Sequence, residues 1–281
     1  MKKIIIAGGS GYIGQAFLHK FKNKYNIKIL SRSTLGKHDY ITVLESCDVL
    51  INLAGASIFP NRWTSKRKQE LLDSRVKHSA NLLQNAKSFS INHYIQASAT
   101  TFYPFSESEI FTEDCVKQSG LNFSLNLVQE WEAQIEKSSI QNNSIVRLGV
   151  VVGPKSKFLE PMKLLYSFFL GGMIGSGRQW ISWVHVADVI DAIDFMIEKQ
   201  LNGPVNVTSP NAITNKDMCE LLAAILKRPN FFHMPKWFYQ SVFGEASELL
   251  TEGHQIYPKT LLDKGYKFKF DQFEEALKDS I

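Results

Sequence analysis

Cysteine is scarce in this 281-residue chain: there are three, Cys47, Cys115 and Cys219. They are scattered, odd in number, and form no CxxC or Cys/His spacing. This excludes a disulfide scaffold and gives no metal site, and it fits reduced thiols in a cytoplasmic protein. Long apolar runs are missing too. The greasiest stretch after the N-terminus, 164–174 (LLYSFFLGGMI), falls well short of the ~20 residues that a membrane span needs. A buried helix or a lid is expected there, and no membrane partner. The opening MKKIIIAGGSG has a short apolar run, but glycines follow it at once, the pattern of a buried strand and turn rather than a signal peptide. Nor is there a large excess of one charge sign: the net charge is +5, with 21% of residues charged. The densest basic stretch, Lys66-Arg67-Lys68, is followed by Glu70 and Asp73, as on a solvated helix face. No nucleic-acid partner is expected. Internal repeats and low-complexity segments are absent.

What is present is an alternation of apolar strands and helices. The pattern predicts strands at 3–7, 27–30, 48–53, 94–97, 144–152 and 205–207. It predicts helices at 12–24, 65–87, 124–136 and 186–198, with Ile13, Phe17 and Phe21 at four-residue spacing on one face. Near-continuous apolar strands separated by helices imply a parallel sheet covered on both faces, an α/β doubly wound Rossmann-type fold. Only 17 residues separate Leu30 from Asp48. Since 40–46 looks like a short helix, the third strand of such a fold is expected to be missing or vestigial. From about residue 209 the rhythm changes. Thr214 caps a helix at 215–227, and further helices are expected at 236–250 and 259–264, the last entered by Pro258 and stopped by Gly265. The domains expected are 1–152 with 181–208 for a dinucleotide, and 153–180 with 209–281, smaller and mainly helical, for a substrate.

The strongest motif is Gly8-Gly9-Ser10-Gly11-Tyr12-Ile13-Gly14, directly after a strand and opening a helix. Gly8 permits the tight turn, Gly11 leaves room for a pyrophosphate, and Gly14 lets the helix pack close to the sheet. The helix N-terminus offers free N–H groups and partial positive charge to phosphates. The strand–turn–helix context that such a glycine pattern requires is present. An NAD site usually carries an acid at the end of the second strand. Here that place reads Leu30-Ser31-Arg32-Ser33-Thr34, without one. Arg32 would pair with a 2′-phosphate, with Ser31 and Ser33 donating further hydrogen bonds. The cofactor expected is therefore NADP(H). The small residues of Asn52-Leu53-Ala54-Gly55, ending the next strand, would let the adenosine ribose and phosphates lie against the backbone.

The Gly8 to Gly14 loop, Asn52-Leu53-Ala54-Gly55 and Ser98-Ala99-Thr100 together resemble an extended short-chain dehydrogenase/reductase. Further strings are similar to an atypical "epimerase family" within that superfamily: Arg62-Trp63-Thr64, Asp73-Ser74-Arg75-Val76, Gly175-Ser176-Gly177-Arg178-Gln179-Trp180, Trp183-Val184-His185-Val186, Gly203-Pro204-Val205-Asn206 and Arg228-Pro229. Its members are often labelled nucleoside-diphosphate-sugar epimerases or cell-division inhibitors. They share a C-terminal region of unassigned function, which Phe243-Gly244-Glu245 and Pro258-Lys259 resemble. The resemblance covers nearly the whole chain.

It also implies where chemistry would sit. Extended members use a Ser or Thr after the fifth strand, then a Tyr and a Lys four residues apart, for proton transfer beside the nicotinamide. Ser98 occupies the first place. Counting back from Trp131-Glu132, the Tyr and Lys places fall on Ser124 and Val128, and no Tyr lies between Thr112 and Gln141. The remaining acid candidates are Tyr103 and His185, the latter with Asp188 in the first turn of the following helix. Thr100 and Arg178 are candidates for holding a substrate, Arg178 an anionic group in a cleft at the carboxyl ends of the strands. Two readings stand. One is an NADP(H)-dependent oxidoreductase or epimerase acting on a nucleotide-sugar-like or other anionic small molecule. The other is a non-catalytic NADP(H)-binding redox sensor or partner-binding scaffold.

Overall fold

The computed structural model describes residues 1–30, 44, 47–59, 61–116, 122–138 and 140–281. Ser31, Arg32 and Ser33 lie outside the described residues, as does the helix expected at 40–46 apart from Leu44, which is buried. In chain order the first half contains β1 (Lys3–Ala7), α1 (Tyr12–Phe21), β2 (Asn26–Leu30), β3 (Val49–Asn52), α2 (Ser65–Leu72), α3 (His78–Ala86), β4 (His93–Ala99), β5 (Ile110–Phe111), α4 (Phe123–Glu136) and β6 (Asn143–Leu148). Then come β7 (Val150–Val152), α5 (Leu159–Ser167), β8 (Trp180–Ile181), β9 (Trp183–His185), α6 (Val186–Lys199) and β10 (Gly203–Val207). The C-terminal part holds β11 (Ile213–Thr214), α7 (Asn215–Leu226), α8 (Lys236–Phe243), α9 (Glu248–Thr251), β12 (Gln255–Ile256), α10 (Lys259–Asp263) and α11 (Phe273–Ser280).

Six strands form one parallel sheet in the order β10-β6-β4-β3-β1-β2. Among the described residues nothing pairs beyond β2, where a third Rossmann strand would lie. The near-continuous apolar strands have a simple cause. Successive side chains point to opposite faces, and here both faces are covered. Ile4 and Ile6 of β1 join Val49, Ile51 and Ile95 beneath α1 and α6, packed by Phe17, Ile193 and Met196. Ile5 and Ala7 join Leu50 and Tyr94 beneath α3 and α4, packed by Leu82, Leu83 and Ile135. This is a Rossmann-type doubly wound α/β fold with a mainly helical C-terminal region.

Three elements differ from the sequence pattern. The strand expected at 144–152 splits at Gly149: β6 stays in the main sheet, while β7 leaves it to pair with β9. The Ser182 carbonyl passes so close to Gly149 that a Cβ would lie 2.4 Å from it. The helix expected at 65–87 runs through, but with a π-helical turn at Asp73–Lys77 between α2 and α3. The helix expected at 236–250 breaks at Gly244, whose φ of +59° ends α8 before a 3₁₀ turn leads into α9. The stretch 164–174 is not a buried helix: α5 ends at Ser167, and Leu164, Leu165, Phe168, Phe169 and Leu170 stand exposed while Tyr166 and Ile174 are buried.

Candidate functional site

The phosphate loop has the geometry its sequence demands. Gly8 sits at φ +77°, and a Cβ on it would lie 2.7 Å from the Ala54 nitrogen. A Cβ on Gly14 would lie 2.5 Å from the Gly9 Cα, so α1 packs onto the loop as only glycine allows. Gly11 precedes α1 without any side-chain cap on the helix N-terminus. Ser10 and Gly11 form its exposed rim, whereas Ile13 packs into the core beneath. An uncapped helix N-terminus at an open glycine turn fits a diphosphate, by charge and by space. Tyr12 does something the sequence did not indicate. Its hydroxyl donates to the Pro154 carbonyl at 2.9 Å, joining the loop to the second region. Burial, with Asp279 and Glu160 nearby, pushes its pKa up to about 12.

The end of β3 lies beside this loop. Asn52 is buried and donates to Ser79 Oγ and Tyr94 Oη, while its Oδ1 accepts from the Ala54 nitrogen at 3.2 Å. Leu53 packs on the core and Ala54 contacts Gly8, leaving Gly55 as the exposed member. Arg75 approaches Gly55 from the π-helical turn: a Cβ on Gly55 would lie 3.2 Å from the Arg75 Cζ. The same turn grips the loop through Ser74 Oγ, which accepts from the Ala56 nitrogen, and Arg75 Nη2, which donates to the Ala56 carbonyl at 2.9 Å. The guanidinium lies 5.4 Å from the Trp131 ring centroid and has no carboxylate partner among the described residues. Burial, with Arg67 nearby, lowers its pKa to about 10. A half-buried cation without an anion is costly, and here it adjoins the expected dinucleotide crevice. In the sequence Arg75 stands only within the string Asp73-Ser74-Arg75-Val76, with nothing that marks it as a cation beside the crevice. The signal was present in the π-helical turn, since such insertions are frequent at functional sites, but it is not visible as a residue pattern.

The catalytic candidates are held differently from expectation. Ser98 donates to Glu132 Oε1 at 2.5 Å. Glu132 takes a two-pronged contact from Arg147, Nε to Oε1 at 3.0 Å and Nη2 to Oε2 at 2.8 Å. Arg147 Nη1 donates to the Tyr103 hydroxyl at 2.8 Å, which in turn donates to Asn206 Oδ1 at 2.8 Å. All five residues are buried. Burial pushes Tyr103 up to about 12, and its ring stacks on Phe111. As folded, Ser98 and Tyr103 are members of one closed polar network rather than groups facing open space. His185 caps α6: its Nδ1 accepts from the Ala187 nitrogen at 3.3 Å, and Nε2 lies 3.3 Å from Asp279 Oδ2. Burial outweighs Asp279 and lowers its pKa to about 4, so it is neutral near pH 7. Asp188 is turned away from His185, accepting from the Lys269 and Phe270 nitrogens.

Thr100 is buried in the 3₁₀ turn after β4. The hydroxyl of the neighbouring Thr101, which no sequence motif marks, is buried with no hydrogen-bond partner among the described residues. Arg178 does not turn inward. Its side chain is 75% exposed, with Nε 4.0 Å from Glu107. It stands in solvent beside the Glu107 that Trp180 also contacts, rather than in a pocket. The counted relay positions are also accounted for: Ser124 donates to Glu248 Oε1 at 2.6 Å, and Val128 packs among Phe102, Tyr103 and Phe111. Several motif strings turn out to be joints. Arg62 donates to the Ser241 carbonyl, and Trp180 Nε1 to the Glu107 carbonyl. Two hollows lined by residues such as Asp48, His93 and Tyr25 lie at the opposite edge of the sheet.

Known proteins match this architecture over its whole length. Residues 4–208 match the NAD dependent epimerase/dehydratase family, and 234–280 match DUF1731, a domain of unknown function. The epimerase family protein YfhF of Bacillus subtilis is 34% identical, over 99% of this chain and 97% of its own. The mouse epimerase family protein SDR39U1 is 31% identical, over 99% of both chains. The crystal structure of human SDR39U1 (isoform 2), solved with NADPH, superposes with a TM-score of 0.89 at 28% identity, covering 98% of each chain. A Bacillus cereus UDP-glucuronic acid 4-epimerase, at 16% identity and a TM-score of 0.81, shares the fold. The chain thus belongs to the NAD-dependent epimerase/dehydratase family, with a DUF1731 domain following its Rossmann-type domain.

Proposed function

We propose that this protein binds NADP(H) along the crevice from Gly8 to Arg75 and works in the cytoplasm. Its reaction would be that of an oxidoreductase or epimerase on a nucleotide-sugar-like or other anionic small molecule. The observation that carries the reading is the Arg75 guanidinium. Among the described residues it has no carboxylate partner, and it approaches Gly55, which continues the strand end that Gly8 contacts. A bound phosphate would supply the missing anion. The phosphate form of the cofactor is favoured by Arg32, where an acid would favour NAD, and by the relative solved with NADPH. In this division of labour 1–152 with 181–208 hold the dinucleotide, and 153–180 with 209–281 receive the substrate. When bound, the dinucleotide supplies hydride exchange. The chain's own contribution is to fix it by backbone N–H groups and Arg75, and to offer the unpartnered Thr101 hydroxyl to a substrate oxygen.

The buried Ser98 and Tyr103 favour the second reading, a non-catalytic NADP(H)-binding sensor or scaffold. The two part on turnover of carbonyl compounds and nucleotide sugars with NADPH. Cofactor titration tests what they share. Charge-assisted hydrogen bonds are worth roughly 1.5–3 kcal/mol, or about ten- to a hundredfold in affinity. Arg75→Met should weaken NADPH and NADH alike by that factor, whereas Arg32→Ala should weaken NADPH alone. Wild-type affinity in a folded Arg75→Met protein would remove the anion site. Equal NADPH and NADH affinities in the wild type would remove the cofactor choice.

A further inference from the structure

A feature that the dinucleotide site leaves unexplained is an apolar surface built from 164–170 and 231–238. Phe168, Phe231 and Trp237 are each 66% exposed, with Leu164, Phe169 and Phe238 beside them also exposed. They come from two segments that lie against each other. The Phe232 nitrogen donates to the Gly171 carbonyl, the Met234 nitrogen to the Met173 carbonyl, and Arg228 lies 5.2 Å from the Phe169 ring. The inner sides of the same segments are spent on the core, where Leu159, Tyr166 and Met173 pack against α7. The outward side chains are therefore surplus to folding. Exposed apolar side chains gathered on paired segments in this way mark an interaction surface rather than ordinary surface composition.

Charge tells what kind of surface it meets. Stretches 155–172 and 227–243 hold six lysines and arginines against one acid, Glu160. Their charge of +5 equals that of the entire chain, so the remainder is neutral on balance. Lys163 and Lys236 are engaged by Glu160 and Glu252, while Lys227 and Arg228 are exposed without a carboxylate partner among the described residues. A second copy of this chain across a two-fold axis would set these cations against their own images. Protruding Phe, Leu and Trp side chains need no preformed pocket in a bilayer, and basic neighbours are drawn to acidic headgroups.

We propose that this face is a peripheral docking surface for a membrane rich in anionic lipid, with Phe168, Phe231 and Trp237 entering the headgroup region and Lys227 and Arg228 holding acidic headgroups. No helix among the described residues is long and apolar enough to cross a membrane. The contact is interfacial, and it departs from the expectation of no membrane partner.

The experiment is flotation of the full chain with phosphatidylcholine vesicles, with and without phosphatidylglycerol, at low and high salt. Trp237 is the one exposed tryptophan of the five, so its emission should shift to the blue on binding. The chain should float with the acidic vesicles and be released by salt. A basic residue near an acidic surface is worth about fivefold in partition, so Lys227→Gln with Arg228→Gln should lower partition roughly 25-fold. Phe168→Ser with Trp237→Ser should lower it further, with unchanged dinucleotide affinity showing that the fold survives; should that variant misfold, the charge variant and the salt series still decide. Failure to float with acidic vesicles would overturn the proposal, as would flotation indifferent to both variants. So would a dimer that the serine variant dissolves in a protein that ignores vesicles.

Discussion

The sharpest quantitative test falls on the Glu132–Arg147 pair. Their side chains are 7% and 5% exposed, and every charged atom of the pair has a hydrogen-bond partner in Ser98, Tyr103 or the opposite member. Arg147 also lies 3.4 Å from the Phe102 ring centroid. Removing one member of such a pair leaves the other charge buried without compensation, at about 3–5 kcal/mol. In a chain of this size that corresponds to a fall in melting temperature of roughly 6–20 °C. Glu132→Leu and Arg147→Met should each show it in urea or thermal unfolding. The double variant should cost less than the two singles added together, because neither charge is then left stranded. Ser98→Ala, losing one hydrogen bond to a carboxylate, should cost ~1–3 kcal/mol. If either single charge variant lost under ~1 kcal/mol, or the double were fully additive, the five-residue network would not be holding the sheet end together as argued, and Ser98 would return as a free catalytic hydroxyl.

Acid should weaken the fold by a second route. Burial lowers His93, His185 and His254 to about 4, against ~6.5 when unfolded. Between these values the unfolded chain binds more protons, so stability is full above pH ~6.5 and falls as pH drops towards 4, by up to ~3 kcal/mol per histidine. Urea midpoints taken from pH 7 to 4.5 check this, and a flat profile would contradict the burial argument. Gly8→Ala combines a positive φ with a Cβ 2.7 Å from the Ala54 nitrogen, whereas Gly203→Ala at φ +82° meets nothing within 4 Å. The second should cost only the backbone strain of ~1–3 kcal/mol, the first more, with loss of dinucleotide binding; equal costs in melting experiments would argue against the close approach. Thr101→Val should be neutral or stabilising by ~1 kcal/mol, because it removes a buried hydroxyl with no partner among the described residues, yet it should reduce turnover if that hydroxyl holds substrate. A clear loss of stability would mean that the hydroxyl is satisfied in solution.

What was legible in the sequence was what depends on short-range pattern. Ile4, Ile5 and Ile6 announce a strand buried on both faces because neighbours in a strand serve opposite layers, and here each layer has its helices. The glycine loop was legible because steric demands at Gly8 and Gly14 leave no other residue. Local pattern could not show that β6 ends at Gly149, since the cause is the Ser182 carbonyl, which is distant in sequence. Nor could it show the polar network, whose members at 98, 103, 132, 147 and 206 meet only in the fold. Arg32, on which the choice between NADP(H) and NAD(H) was read, lies outside the described residues.

The missing Tyr–Lys relay has a structural counterpart that bears on the chemistry. The helix that carries the relay in extended short-chain dehydrogenases is here α4, and its counted positions have been given other work. Ser124 binds Glu248 of α9, with Glu248 raised in pKa by burial at the contact. Val128 packs in the same apolar cluster as Tyr103. A tyrosine at 124 would have to displace the Glu248 contact, and a lysine at 128 would bring a cation into the apolar cluster beside Arg147. The helix therefore ties the DUF1731 region to the sheet at the positions where the resemblance to extended short-chain dehydrogenases implies a tyrosine and a lysine. Glu132, one turn further along, takes up the charge of Arg147, so that side of α4 is electrostatically closed. None of Ser124, Val128 and Glu132 is therefore free to exchange a proton with a substrate. That is why the question of turnover rests on the Thr101 turn and the Arg75 crevice rather than on the helix where family resemblance would look first.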